Sequence, residues 1–394
     1  MSSNAAAIPR AHRPQGPREI PQHVSPGLWT LAWRRLKSDR VGMVSLAIVI
    51  AFIVLMILSA TGLIAADWSR EVGVNYAPPT IAGPDVNSLG PGAATATGAE
   101  GPTEATTFKS TVVDPIGDVI AELKGETTAA GTAAGSGVVD PLADVMKDIQ
   151  SSKGAGAAAP EETRLATLPF GGDKWGRDVL KKTIKGSETS IFVGIAAALV
   201  ATLIGTVLGA VSGYYGKWVD DALNWFYNVF SSIPYLLLIL AVAAVLQQKG
   251  TMTIILILGL TGWTGIFRLI RAEYMKHKGR EYVQAADAIG ASNARRMFTH
   301  IFPNVSHVVL VQLSILTVGF IKAEVILSFL GFGVPVDVVS WGSMLNEAQN
   351  ELILGKWWQL VAATTAMALL VTAFSLFTDA LRDALDPKLK GIAG

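Results

Sequence analysis

The chain has 394 residues, 51% of them hydrophobic and 16% charged, with a mean hydropathy of +0.42 and a formal net charge of +1. Soluble domains carry about 25% charged residues, so the charge deficit points to a membrane protein, and a net charge near zero gives no bulk attraction to nucleic acid. Cysteine is absent, which excludes disulfides, thiolate nucleophiles and Cys-ligated clusters.

Residues 1–27 are rich in Pro, Arg and Ser and read as a disordered tail. Six apolar stretches follow, near 42–66, 188–213, 225–246, 252–270, 306–331 and 358–378. Each is long enough to cross a hydrocarbon core of ~30 Å, which needs about 20 helical residues. The first begins far from the N-terminus and exceeds the 7–15 apolar residues of a signal peptide, so a retained anchor is expected. The fold class is therefore all-α and polytopic, with about six transmembrane helices.

Short loops rich in Lys and Arg mark the cytoplasmic side. Arg34, Arg35, Lys37 and Arg40 precede the first span, Arg268 to Arg296 crowd the stretch after the fourth, and Arg382, Lys388 and Lys390 follow the sixth. These clusters predict a cytoplasmic tail over 1–40, a membrane helix over 41–66 and an external segment over 67–187. A transmembrane core over 188–386 follows, with a cytoplasmic loop at 271–304, and a cytoplasmic tail over 387–394. Lys181, Lys182 and Lys185 break the pattern, but they end a loop of about 120 residues, and long loops escape the rule.

The external segment contains a repeat. Val112-Val-Asp-Pro-Ile-Gly-Asp-Val-Ile-Ala-Glu-Leu123 returns as Val138-Val-Asp-Pro-Leu-Ala-Asp-Val-Met-Lys-Asp-Ile149. In each copy an Asp is placed to cap a helix with Pro at its first position. Apolar residues then recur at helical spacing, predicting two short amphipathic helices within an Ala- and Gly-rich linker.

The second span places Ala197, Ala201, Gly205, Gly209 and Gly213 on one face, where small residues let helices approach closely. Pro234 in the third span, and Gly259, Gly262 and Gly265 in the fourth, mark kinks or close contacts. Glu324 in the fifth span must face protein or water. A hydrogen bond to Ser328, one turn on, is preferred for it over contact with a substrate.

Between the fourth and fifth spans, residues 279–304 are too polar to cross a membrane. Glu281 to Ile289 read as a short helix with Ala285, Ala286 and Ile289 on one apolar face. Gly290 suits the left-handed position that ends it, and Ser292 the cap of a following helix through Arg295, Arg296 and Phe298. The predicted result is a short helix across the cytoplasmic face, with small alanines where another protein can pack.

This loop resembles the coupling loop of ABC importer permeases, in which Glu-Ala-Ala is followed after three residues by Gly and later by Ile-x-Leu-Pro. Ala285, Ala286, Gly290 and Pro303 fall at the matching positions, while Gln284, His300 and Phe302 depart from Glu, Ile and Leu. Gly171-Gly-Asp-Lys-Trp-Gly-Arg-Asp-Val179, Leu327-Ser-Phe-Leu-Gly-Phe-Gly333, Asp379 to Pro387 and Trp33 to Gly42 resemble the dipeptide, oligopeptide and nickel branch, the last of them its C-type subunit. The resemblance covers residues 29–80 and 168–390 and lapses between. It implies the type I importer permease fold and a subunit that forms half of a channel, by default for peptides, with nickel, opines or sugars as alternatives. It further implies a second homologous permease, two ATPase subunits holding ATP and Mg, an extracytoplasmic substrate-binding protein and an inner-membrane location. Contact with the ATPase is carried over to Glu281, Gln284, Ala285, Ala286, Gly290 and Arg295. Gly205, Gly209, Glu324 and Ser328 are the channel or helix-packing candidates.

No cofactor, metal site or catalysis of its own is expected. The chain has no Gly-x-x-x-x-Gly-Lys-Ser/Thr phosphate loop, and its five histidines lack zinc-ligand spacing. A proton-coupled secondary transporter is disfavoured by sparse intramembrane charge and no evident inverted repeat. A membrane enzyme is disfavoured because no His, Asp or Ser cluster converges near a membrane face.

Overall fold

The computed structural model describes residues 28–83 and 164–385. Residues 1–27, the repeated segment at 112–149 and the tail at 387–394 lie outside the described residues, whereas residues 28–38 of the expected N-terminal tail form a helix. But for residues 164–166, what is described belongs to one compact unit.

Among the described residues the chain is helical. Helix α1 spans Leu28–Ser38, α2 Arg40–Ala60, α3 Val179–Tyr215, α4 Lys217–Ser231 and α5 Tyr235–Leu246. Helix α6 spans Thr251–Thr261, α7 Thr264–Lys278, α8 Glu281–Ala288, α9 Asn293–Phe329, α10 Trp341–Ile353 and α11 Trp358–Leu385. Four of these, α2, α3, α9 and α11, are long and apolar enough to span a membrane singly. Two bent pairs raise the number to six: α4 with α5, at 83°, and α6 with α7, at 41°.

The third and fourth spans are therefore broken helices. The first break falls at Ser232–Pro234, where proline has no N–H to continue the ladder. The second falls at Gly262 and Trp263; a Cβ on Gly262 would stand 2.3 Å from the ring of Phe320, so glycine is what lets α9 approach there.

Helix α3 begins at Val179, earlier than the apolar run suggests. Asp178 caps it, accepting from the Leu180 amide at 2.8 Å. This puts the three discordant lysines on its first turns, each with a carboxylate partner. Lys181 meets Asp67 at 2.6 Å and holds that carboxyl below its ordinary value, Lys185 meets Glu188 at 2.7 Å, and Lys182 is buried. Helix α2 ends at Ala60, before residue 66, in a turn where Gly62 takes φ +74°. Isolated bridges Glu71–Arg177 and Pro79–Leu168 then tie the segment after α2 to the one before α3.

Helix α3 is the spine of the molecule. Its small-residue face is turned onto α6 and α7. A Cβ on Gly205 would meet the Ile266 side chain at 2.1 Å, one on Gly209 the Phe267 carbonyl at 2.7 Å, and one on Gly213 the Arg271 carbonyl at 2.4 Å. Ala197 and Ala201 above them are fully buried in the cluster that also holds Ile254, Leu258 and Phe320. In lipid there is no hydrophobic drive between helices, so close backbone packing of this kind holds them together.

Candidate functional site

The loop between α7 and α9 forms a platform with one helix lying on it. Helix α8 has Arg280 as its N-cap residue and Glu281 in its first turn, where a carboxylate complements the helix dipole. Ile289 closes it, and Gly290 follows at φ +79°, the left-handed conformation that glycine adopts without Cβ penalty. Ser292 then caps α9, its Oγ accepting from the Arg295 amide at 3.3 Å.

Below α8, a buried cluster joins Ala210 and Tyr214 of α3 with Ile266, Ile270 and Tyr274 of α7 and Met297, Ile301 and Val305 of α9. Val283 is the residue of α8 that enters it. Ala286 is also buried, at 4% exposure, whereas Ala285 is exposed and Ile289 is 84% exposed. The expected shared face of Ala285, Ala286 and Ile289 is thus divided. Ala286 lies one turn from Val283 and turns with it into the protein. Gln284, Ala285, Ala288 and Ile289, with Phe298 of α9 at 55% exposure, make the outward surface. Glu281, Gly290 and Arg295 are exposed around it.

Polar contacts fix the loop further. The Tyr214 hydroxyl donates to Asn293 Oδ1 at 3.0 Å, and Arg296 donates to the same oxygen at 2.5 Å while pairing with Asp287 of α8. Tyr274 donates to the Met297 carbonyl at 3.3 Å, and Tyr282 meets His277 at 2.8 Å. Tyr214 also receives Lys278 over its ring at 5.4 Å. None of these residues stands out by spacing. The one visible signal is that Tyr214 directly follows the last glycine of the small-residue face. Early in α9, Arg296–Ile301 are π-helical, a wide and uncommon form frequent at functional sites.

The remaining candidates lie away from the loop. Glu324 is fully buried, and the Ser328 hydroxyl donates to its Oε1 at 2.7 Å. Ser190 of α3 and Ser340 stand close to it, and the Trp341 amide donates to Ser190 Oγ at 3.2 Å. Glu324 therefore lies inside a seam joining α3, α9 and the start of α10, enclosed by this chain. Gly205 and Gly209 pack helix on helix, as above. A groove of about 710 Å³ between α2, α3 and α11 is lined by Phe52, Leu55, Leu180, Trp357, Trp358 and Leu369 among others. Its wall is almost wholly apolar and offers no charge to a peptide's termini. Among the described residues no group of three His, Cys, Asp or Glu is placed to hold a metal ion.

Helix α8 thus lies across the end of the bundle with Ala285, Ala288 and Ile289 facing outward. Residues 205–391 match the family described as binding-protein-dependent transport system inner membrane component, and residues 27–79 match the N-terminal TM domain of oligopeptide transport permease C. The dipeptide transport system permease protein DppC of Bacillus subtilis (strain 168) is 38% identical over 221 residues, 56% of this chain and 69% of its own length. The chain belongs to this permease family. The oligopeptide transport system permease protein OppC of the same organism is 36% identical over 221 residues, covering 72% of its length. That of Escherichia coli (strain K12) is 37% identical over 219 residues, again 72% of its length. The permease is thus a multi-pass membrane subunit of an ABC transport system. Both family matches leave out residues 80–204, so they say nothing of the segment after the first span.

Proposed function

We propose that this permease forms half of the channel of an ATP-driven peptide importer, and that α8 is the element through which ATP acts on it. The observation that carries this reading is the division of α8. One face is locked to α3, α7 and α9 through Val283, Ala286 and the Arg296–Asp287 pair, and the other presents Ala285, Ala288 and Ile289 outward. A helix so held cannot shift without moving the three long helices beneath it. That is what a two-state element biased by a distant ligand requires.

The ligand is ATP with Mg, bound on two partner ATPase subunits; a second homologous permease completes the channel, and an extracytoplasmic binding protein delivers substrate. The peptide class rests on relatives named as dipeptide and oligopeptide permeases. The same reading places α8 and both termini in the cytoplasm, in line with the Lys- and Arg-rich flanks of α1 and of the α7–α9 loop.

Uptake and association separate the parts of this reading. Cells carrying the whole transporter are expected to take up labelled di- or oligopeptides, and the purified permease to bring down an ATPase. Loss of the ATPase from Ala285→Arg, with the permease still folded and inserted, is the expected result. Normal uptake and normal ATPase recovery in Ala285→Arg would remove α8 from the coupling role. Uptake of another solute, with peptides ignored, would remove only the substrate class.

A further inference from the structure

Far from α8, at the other end of α3, four segments meet around a buried ammonium. Lys182, 1% exposed, donates to Asp173 Oδ2 at 2.8 Å, Glu347 Oε2 at 2.5 Å and Gln359 Oε1 at 3.4 Å. An ammonium has three protons, and all three are taken. Asp173 also accepts from the Trp175 and Arg177 amides, and Gln359 donates to Glu347 and to the Met344 carbonyl.

Glu351 lies one turn beyond Glu347 on α10. It is 1% exposed, and neither carboxyl oxygen has a hydrogen-bond partner among the described residues. The Lys174 backbone amide approaches it outside hydrogen-bond geometry. The charges acting on it are Lys182 from α3, Asp173 from the segment before α3, and Glu347 from its own helix; α11 contributes the neutral Gln359. Three carboxylates therefore share one cation whose protons are already committed. A charged group left buried and unpaired in this way is costly, and taking up a proton removes the cost.

We propose that Glu351 is a proton-binding site that links the pH at this face of the protein to the seating of α10 on α3 and α11. Burial pushes its carboxyl up to about 7 from an ordinary 4.5; the Asp173 and Glu347 charges push the same way, and the Lys182 charge and the nearby Lys174 amide oppose them. With a raised folded-state value, the seated form binds the proton more tightly than the released form. Seating is fully favoured below about 4.5, weakens as pH rises towards about 7, by up to tenfold per pH unit, and changes no further above it.

The consequence reaches the transmembrane helices. Helix α10 holds α3 through the Trp341 Nε1–Thr183 carbonyl bond at 3.1 Å, and a Cβ on Gly342 would meet the Ser328 side chain and the Val325 carbonyl at 2.5 Å. Release of α10 therefore loosens the ends of α3 and α9 together. That face is external in the proposed topology, but the proton site stands on the local geometry alone.

Hydrogen exchange of residues 341–353 tests this in the full-length permease held in lipid nanodiscs, with Glu351→Gln as the neutral comparison. Intrinsic amide chemistry cancels in the ratio of the two rates. The ratio at pH 8 is expected to be at least tenfold that at pH 5. An equal ratio at both pH values would overturn the proposal, whether or not the permease transports peptides. Should Glu351→Gln fail to fold, maleimide labelling of Ala348→Cys, on the buried face of α10, gives the same comparison against the exposed Val336→Cys. The labelling ratio of the two must rise tenfold from pH 5 to pH 8, and a flat ratio refutes the site.

Discussion

Ala285 and Ala286 are neighbours with the same side chain, yet α8 turns one outward and the other into the protein. Helical periodicity placed both on a face for a partner, because spacing alone does not say which of two adjacent arcs is already covered. Their arginine variants should therefore fail differently. Ala286→Arg forces bulk and charge against α8's own platform and is expected to lower permease stability by about 2–4 kcal/mol, read as an earlier thermal midpoint in detergent. Ala285→Arg, on the surface, is expected to shift stability by less than about 0.5 kcal/mol and to disturb only association with the ATPase. Tyr214 belongs to the same scale. Tyr214→Phe removes one hydrogen bond to Asn293 and should raise hydrogen exchange across residues 279–304 by roughly 2- to 10-fold, in keeping with ~0.5–1.5 kcal/mol. Beyond its place directly after Gly213, the sequence does not mark Tyr214 as a fastening, since its partners Lys278 and Asn293 lie 64 and 79 residues away along the chain.

At the scale of elements, the apolar runs located the spans and missed their ends and bends. Length and hydropathy report where hydrocarbon is tolerated. They do not report that Asp178 starts α3 with three lysines on its first turns; Lys185 has Glu188 three residues on, but Lys181 and Lys182 look unpaired until Asp67, Asp173 and Glu347 arrive from elsewhere. Proline and glycine did mark the two breaks, because a missing N–H or a missing Cβ acts locally. The small-residue face of α3 was legible for the same reason. Its test is Gly209→Val. The new side chain would run into the Phe267 carbonyl, which is backbone and cannot swing aside. A loss of about 1–3 kcal/mol is expected, together with a measurable widening between α3 and α7 in spin-label distances. An unchanged distance and midpoint would mean the two helices do not approach as described.

At the scale of the whole described unit, the Lys182 cluster and the Tyr214 contacts are joined by α3, whose 37 residues run from Val179 to Tyr215. At ~1.5 Å per residue that is roughly 55 Å, longer than the hydrocarbon core. One end is held by the Lys182 cluster and the other by the Tyr214 contacts, so under the proposed coupling a push on α8 would pass along α3. Lys182→Met leaves the buried Asp173 and the half-buried Glu347 without their cation, and about 3–5 kcal/mol of destabilisation is expected. Asp67→Asn breaks only the exposed pair with Lys181 and should cost ~1 kcal/mol or less. Family resemblance predicted the subunit's class from five short motifs, and the comparisons bear that class out. The cluster at Lys182 was beyond reach because it joins four segments spread from Asp173 to Gln359.

A photo-crosslinking residue in place of Ile289, in the transporter purified whole from its cells, tests the coupling role of α8 most directly. Ile289 is 84% exposed beside Ala285, while Val336, 91% exposed beyond the far end of α9, serves as the control. The predicted result is a crosslink from position 289 to a subunit carrying a Gly-x-x-x-x-Gly-Lys-Ser/Thr phosphate loop, with none from position 336. A crosslink to that subunit from 336 and not from 289 would contradict both the role of α8 and the topology.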